Sequence, residues 1–317
     1  MKWTRRRFLQ ASFVGVAGLI VGCTRHELPD YVAPRLRQSP PEITDELRLV
    51  IVGDWGSGQV EQWEVAQGCE AAAAELGGFH AGIFLGDNFY PAGVDSVGDP
   101  LWEEYFEQVY DTEHLGGLTW HAILGNHDHA GNPQAQIDYS RISNGRWNMP
   151  DYFYRQDFRP RGGDPLLTMI GIDTDRNLER QHEQLHFLQQ EIDALQVARW
   201  PVIICGHHPF HSNGNHEIST EMRQQLEPLI RQARPVAYFC GHDHNLQLIR
   251  REDTLHVVSG GGGKVLHNMH GHVEGTLYKE RAYGFVVMIV RRDGIRLEFR
   301  DRRGNLLHTH TANDTPD

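Results

Sequence analysis

LRLVIVGDWG, residues 47–56, holds five apolar residues in its first six and then breaks at Gly53-Asp54. An apolar run this short and continuous reads as a strand buried on both faces, and the glycine-carboxylate pair places a polar ligand where the strand ends. The same grammar recurs in AGIFLGDNFY at 81–90, TWHAILGNHD at 119–128, PVIICGHHP at 201–209 and VAYFCGHDHN at 236–245. Residues 166–171 add one more apolar run ending in glycine. Between these runs, apolar residues three to four apart mark helices over 62–76, 100–110, 179–195 and 219–232. Strand and helix therefore alternate, and the fold class is α/β. Beyond Gly241 the helical patterns stop, and 246–250, 254–259, 283–290 and 295–300 read as strands, so the sheet arrangement is mixed. With no internal repeat and no linker after about residue 46, the region 46–317 reads as one domain.

The first 45 residues have another character. Thr4-Arg5-Arg6-Arg7-Phe8-Leu9 precedes an apolar run over 11–22, shorter than the roughly 20 residues a membrane-spanning helix needs, so 1–22 reads as a signal peptide. The arginine pair followed by Phe8 and Leu9 resembles the bacterial twin-arginine signal, which exports proteins already folded. Ile20-Val21-Gly22-Cys23 resembles a lipobox, in which cleavage leaves Cys23 to be acylated; a plain cleaved signal with a chance cysteine is the alternative. Pro29, Pro34, Pro40 and Pro41 then make 23–45 a semi-extended tether without apolar periodicity. A bacterial envelope location, periplasmic or at the surface, is the resulting expectation. Of the other cysteines, Cys69, Cys205 and Cys240 read as buried free thiols, and a bridge between Cys205 and Cys240 stays open because nothing in the sequence fixes their geometry.

Composition is that of an ordinary globular chain: 317 residues, 39% apolar and 23% charged. The formal net charge of −12 becomes more negative once Lys2 and the three arginines depart with the signal, which argues against a nucleic-acid scaffold as partner. Twenty histidines are many, and several stand beside Gly, Asn and Asp rather than among core residues.

The five strand ends carry Asp54, Asp87 with Tyr90, Asn126, His207, and His242 with His244. In an α/β sheet such ends open on one crevice, and the glycine before each lets backbone approach a shared centre. Taken singly, a Gly-Asp is commonly a turn and a His-x-His pair commonly surface or core histidine. Five such ends in one chain point to one site. Hard oxygen donors mixed with imidazole suit iron, zinc or manganese better than calcium or structural zinc.

The order and spacing of these residues resemble the calcineurin-like metallophosphatases, and Tyr90 three residues after Asp87 narrows the resemblance to purple acid phosphatases. Residues 125–155, GNHDHAGNPQAQIDYSRISNGRWNMPDYFYR, and 240–248, CGHDHNLQL, look like the small tartrate-resistant acid phosphatases of animals, and the similarity runs from about Leu47 to the C-terminus. The resemblance implies a sandwich of two mixed β-sheets flanked by helices. It also implies a binuclear centre in which Asp54, Tyr90 and His244 join the bridging Asp87 around Fe(III), while Asn126, His207 and His242 join Asp87 around a divalent Fe, Zn or Mn. His127 and His216 match family histidines that bind phosphate or protonate the leaving group. The implied activity is hydrolysis of phosphate monoesters by a metal-activated water, without a covalent phospho-enzyme.

Other readings stay open at this point. Tyr90 as a core aromatic would leave the protein colourless, and His216 as a loop residue would have no role in the reaction. Asp128 and Asp243 suit equally the orientation of ligand imidazoles and a helix cap or turn. His208 stands where relatives usually have Tyr and His211 where they often have an aromatic, so both are candidates to touch substrate. Gly260 to Gly263 before Lys264 lacks the spacing of a P-loop and reads as a loop near the site mouth. The connection after Asp173 is short where the animal enzymes carry an exposed insertion, and their cysteine pair has no counterpart, so activity is not expected to need loop cleavage. A phosphodiesterase or nucleotidase on the same metals is the nearest rival, redox chemistry at an iron pair a side reaction, and a non-catalytic surface lipoprotein the rival from another class. The expected substrate is a small phosphate ester, the expected state a monomer, and the membrane enters only through Cys23.

Overall fold

β1 (Glu46–Val52), β2 (Ala81–Phe84), β3 (Trp120–Ala122) and β4 (Trp147–Asn148) lie parallel in that order. The computed structural model describes residues 37–175, 180–214 and 218–312. The signal, Cys23 and His216 lie outside the described residues. All the described elements belong to one compact unit.

From β4 the chain passes to a second sheet. It contains β5 (Tyr154–Phe158), β6 (Leu167–Gly171), β7 (Val202–Cys205), β8 (Ala237–Cys240), β9 (Leu246–Arg251), β10 (Thr254–Ser259) and β11 (Thr276–Glu280), in the order β11-β9-β10-β8-β7-β6-β5. β12 (Gly284–Arg291), β13 (Gly294–Asp301) and β14 (Leu306–Ala312) then return to the first sheet, whose order is β14-β13-β12-β1-β2-β3-β4. Both sheets are mixed. β1 sits between parallel β2 and antiparallel β12, and its Leu49, Val50, Ile51 and Val52 are buried on both faces.

One large apolar core, with Leu49, Ile51, Phe84, Phe239, Leu248 and Phe285 among its residues, draws on both sheets and joins them as a sandwich. A second core covers the outer face of the second sheet. There α4 (Gln181–Leu195) buries Leu188 and Ile192, and α5 (Thr220–Ala233) buries Met222, Leu226 and Ile230, each set at four-residue spacing. α5 starts where the Ser219 side chain accepts a hydrogen bond from the Met222 N–H. On the first sheet, α1 (Val60–Leu76) presents small residues to β12 and β13, and a side chain at Gly68 would lie 2.7 Å from the Arg302 carbonyl. Two short helices, α2 (Asn126–His129) and α3 (Pro133–Tyr139), follow β3.

The α/β alternation and the main strands fall where the sequence places them. The differences lie at edges and in loops: β4, β5, β11 and β14 carry no continuous apolar run, and the helical stretch near residue 105 is a π-helical segment, Trp102–Glu107. Cys69, Cys205 and Cys240 are buried free thiols, with Cys205 paired in register to Phe239.

Candidate metal centre

Each candidate ligand follows the C-terminal end of a strand: Asp54 after β1, Asp87 and Tyr90 after β2, Asn126 after β3, His207 after β7, and His242 and His244 after β8. The first three strands belong to one sheet and the last two to the other, so the site spans both. Asp54, Asp87 and His242 all sit at positive φ, 58°, 50° and 64°. Non-glycine residues in this region cost about 1–3 kcal/mol each and persist where the surroundings impose them, commonly at functional sites. Close approach requires the glycines as well. A Cβ on Gly125 would stand 2.3 Å from Asp87 Oδ1, and one on Gly86 2.7 Å from His207 Nδ1.

The side chains form two four-donor groups joined through Asp87. In one, the Tyr90 hydroxyl is 2.9 Å from Asp87 Oδ2, 3.2 Å from Asp54 Oδ1 and 3.2 Å from His244 Nε2. In the other, His207 Nε2 is 3.4 Å from Asp87 Oδ1, 3.2 Å from Asn126 Oδ1 and 3.2 Å from His242 Nδ1. Asp87 thus turns one oxygen to each group. The outward nitrogens are fixed by backbone: His207 Nδ1 bonds the Leu85 carbonyl at 2.8 Å and His244 Nδ1 the Val265 carbonyl at 2.7 Å. In the neutral ring those bonds place the proton outside and turn each Nε2 to the centre, the arrangement a metal-ligating imidazole uses once the metal replaces any proton there.

The electrostatics follow from crowding. Burial pushes the Tyr90 phenol well above its ordinary range, and the Asp54 and Asp87 carboxylates push it further, so ionisation needs added positive charge. Burial also opposes charge on His207, but Asp87 outweighs it and the imidazole is raised to about 10. For Asp87, burial pulls upward and is overcome by His207 and the His127 contacts, which hold the carboxyl below the usual range. Buried carboxylates, a phenol and imidazole nitrogens converging in this way fit a pair of metal ions, and Asp54, Asp87 and His207 are near enough to share one.

His127 is the accessible group at this centre. Its side chain is 38% exposed, Nδ1 bonds the Pro91 carbonyl at 2.6 Å, and Nε2 stands 4.0 Å from Asp87 Oδ2. His208 borders the second group: its ring centroid is 4.3 Å from that of His242, and Nδ1 is 2.9 Å from Thr174 Oγ1. His211 does not join the site. It lies against His256 in a separate cavity of about 200 Å³ lined also by Arg231, Arg234 and Arg251. Asp128 accepts bonds from the N–H groups of Asn88 and Gly125 and from Gln136, so it clamps the two ligand loops. Asp243 holds Ser212 and lies 3.7 Å from His267. Two neighbours gave no clear sequence signal. His267 stacks on His244 at 3.8 Å, and Lys264 Nζ stands 4.5 Å from the centre of the Tyr90 ring. Their loop lacks periodicity; only the glycine run before Lys264 marked it.

A sequence profile of the calcineurin-like phosphoesterases matches residues 47–246, which include all seven candidate ligands. The chain belongs to that family. Among relatives of this phosphoesterase, tartrate-resistant acid phosphatase type 5 of Oryctolagus cuniculus is 37% identical over 70% of this chain and 74% of its own, and that of Sus scrofa 34% identical over 86% and 81%. Purple acid phosphatase 7 of Arabidopsis thaliana is 30% identical over 83% of this chain and 84% of its own. These likenesses place the phosphoesterase on the purple acid phosphatase branch, whose members are hydrolases. Among solved structures, GAP50, the anchor in the inner membrane complex of Plasmodium, superposes with a TM-score of 0.77 at 26% identity, covering 86% of this chain and 90% of its own. The purple acid phosphatase PPD1 of Lupinus luteus superposes at 0.65 and 17% identity, covering 88% and 55%, a likeness of fold.

Proposed function

We propose that this phosphoesterase hydrolyses phosphate monoesters at a binuclear centre, with Asp54, Tyr90, His244 and Asp87 around Fe(III) and Asn126, His207, His242 and Asp87 around a divalent Fe, Zn or Mn. The observation that carries the reading is the division of donors between the two groups. On the side of Asp87 Oδ2 the Tyr90 hydroxyl meets the Asp54 carboxylate and one imidazole, His244, whereas a neutral amide with two imidazoles lies on the side of Oδ1. Hard anions favour the trivalent ion, and neutral nitrogen donors leave the second site divalent.

When bound, the metal pair supplies Lewis acidity that activates water and offsets charge on the phosphoryl oxygens. The chain's own groups do the rest. Asp87, anchored by the His127 N–H at 2.9 Å, holds the two donor groups at a fixed separation. His127 keeps Nδ1 on the Pro91 carbonyl and holds Nε2 beside the centre, 4.0 Å from Asp87 Oδ2, with the side chain partly exposed, so that as a general acid it donates to a phosphate oxygen or to the departing alkoxide. His216 shares that role in this reading.

GAP50 of Plasmodium is an anchor, so a binding role on this fold is the competing reading. Assay of purified protein for metal content, visible absorption and turnover of a chromogenic monoester and a diester separates the cases. Iron, a visible band and monoester turnover support the proposal. Preference for the diester favours the phosphodiesterase reading, and a metal-loaded protein without turnover favours the binding role.

Export by the twin-arginine route and anchoring at acylated Cys23 form part of the same proposal. Exchange of Arg5 and Arg6 for lysine is expected to retain the protein in the cytoplasm, and Cys23→Ala to release it from the membrane fraction. Unchanged fractionation of both variants removes the export reading.

A further inference from the structure

The loop after β10 comes back over the centre and is tied to two ligands. Gly262 N–H donates to the Gly53 carbonyl at 3.1 Å, and the Ser57 hydroxyl donates to the Gly263 carbonyl at 2.9 Å. The Lys264 N–H donates to the Asp54 carbonyl at 3.1 Å, and the next carbonyl, that of Val265, receives His244 Nδ1 at 2.7 Å. Residue 264 is thus pinned on one side to Asp54 and on the other to His244. From there its ammonium reaches the face of Tyr90, 4.5 Å from the ring centre and inside the roughly 6 Å limit of a cation–π contact. Among the described residues no carboxylate forms an ion pair with Lys264. Tyr90 itself is 3% exposed, and Lys264 is half-buried.

We propose that Lys264 is a positioning residue for Tyr90, whose ammonium stabilises the phenolate and thereby sets the energy of its charge transfer to iron and the iron reduction potential. The inference rests on the reading of Tyr90 as the Fe(III) ligand and goes beyond it by naming the outer group that tunes it. The sign follows from electrostatics. A positive charge beside the donor phenolate holds its electrons more tightly, which raises the charge-transfer energy. The same charge offsets the anionic donors Asp54, Asp87 and Tyr90 and so makes the reduced metal easier to form. Lysine and arginine both supply the charge; methionine keeps the aliphatic stem and removes it.

The test is a visible spectrum and a redox titration of metal-loaded wild type, Lys264→Met and Lys264→Arg at equal iron content. Lys264→Met is expected to move the visible band to longer wavelength and the potential downward, and Lys264→Arg to keep both near wild type. A band and potential unchanged in Lys264→Met overturn the inference while leaving the Tyr90 ligand intact. Equal displacement in Lys264→Met and Lys264→Arg also overturns it, because packing rather than charge would then be responsible. Oxidised, iron-loaded wild type without a visible band removes the Tyr90 reading and this inference together. A Lys264→Met protein that no longer takes up iron while Lys264→Arg does so supports the charge, because both variants fill the same space approximately and only one keeps the ammonium's sign.

Discussion

At the scale of single residues, Asp87 is the position on which both donor groups depend, since each of its oxygens faces a different one. Asp87→Ala is expected to lose both metals and all measurable turnover together, and elemental analysis beside a monoester assay checks this. Retention of two metals per chain would dissolve the shared-carboxylate assignment. His127 should behave differently because its side chain is 38% exposed and its Nε2 stands 4.0 Å from Asp87 Oδ2, so its backbone N–H makes the one close bond to that carboxylate. His127→Ala is expected to keep the metals and the visible band while lowering kcat by about 10²–10⁴, the range of a lost general acid. A fall in metal content equal to the fall in kcat would show that the ring supports the centre rather than the reaction. These two residues share one hydrogen bond and still separate metal retention from turnover.

Elements deliver these side chains, and the glycines at the strand ends decide how closely they do so. A methyl group on Gly125 would meet both the Asp87 amide nitrogen and Oδ1 at 2.3 Å, neither of which can withdraw without moving a ligand. Gly125→Ala is therefore expected to weaken metal retention and to lower the melting temperature, readable by chelator challenge and calorimetry. Wild-type behaviour in both would mean that the β2 and β3 loops are less tightly apposed. The candidate ligands were legible in the sequence because each follows a strand buried at its C-terminal end, where an apolar run ends abruptly at glycine. β5, β11 and β14 were not, since their YRQDF, TLYKE and LLHTHTA are half-exposed strands without such runs. Asp128 shows another limit. Its neighbourhood in the sequence left an imidazole partner and a helix cap or turn equally open, and the fold decides for the cap, turning it onto backbone N–H groups contributed by two separate strands' loops. The glycine run before Lys264 reads as a loop near the site mouth, and it lies there, but nothing local in residues 260–267 singles out Tyr90 and His244 as the residues it packs on.

Across the whole molecule, burial of neutral histidines sets a cost for working in acid. His121 on β3 is 5% exposed, and its Nδ1 accepts from the Asn148 amide at 2.9 Å, a bond that only the unprotonated nitrogen can receive. Burial lowers this imidazole to about 4, and burial with neighbouring charge lowers His256 to about 3. An unfolded chain binds these protons near pH 6.5, so acid favours unfolding. The contribution of His121 is complete above about pH 6.5 and disappears as pH falls through its folded value near 4, a loss on the order of 3 kcal/mol. His121→Gln removes the titrating group and keeps an amide able to pair with Asn148. Its stability is expected to fall less steeply than that of wild type between pH 6.5 and 4 in denaturant titrations. Parallel curves would mean that His121 is solvated before the protein unfolds. Because β3 ends three residues before Gly125, opening of that strand would release Asn126 as well, and the same acid limit would then apply to metal retention.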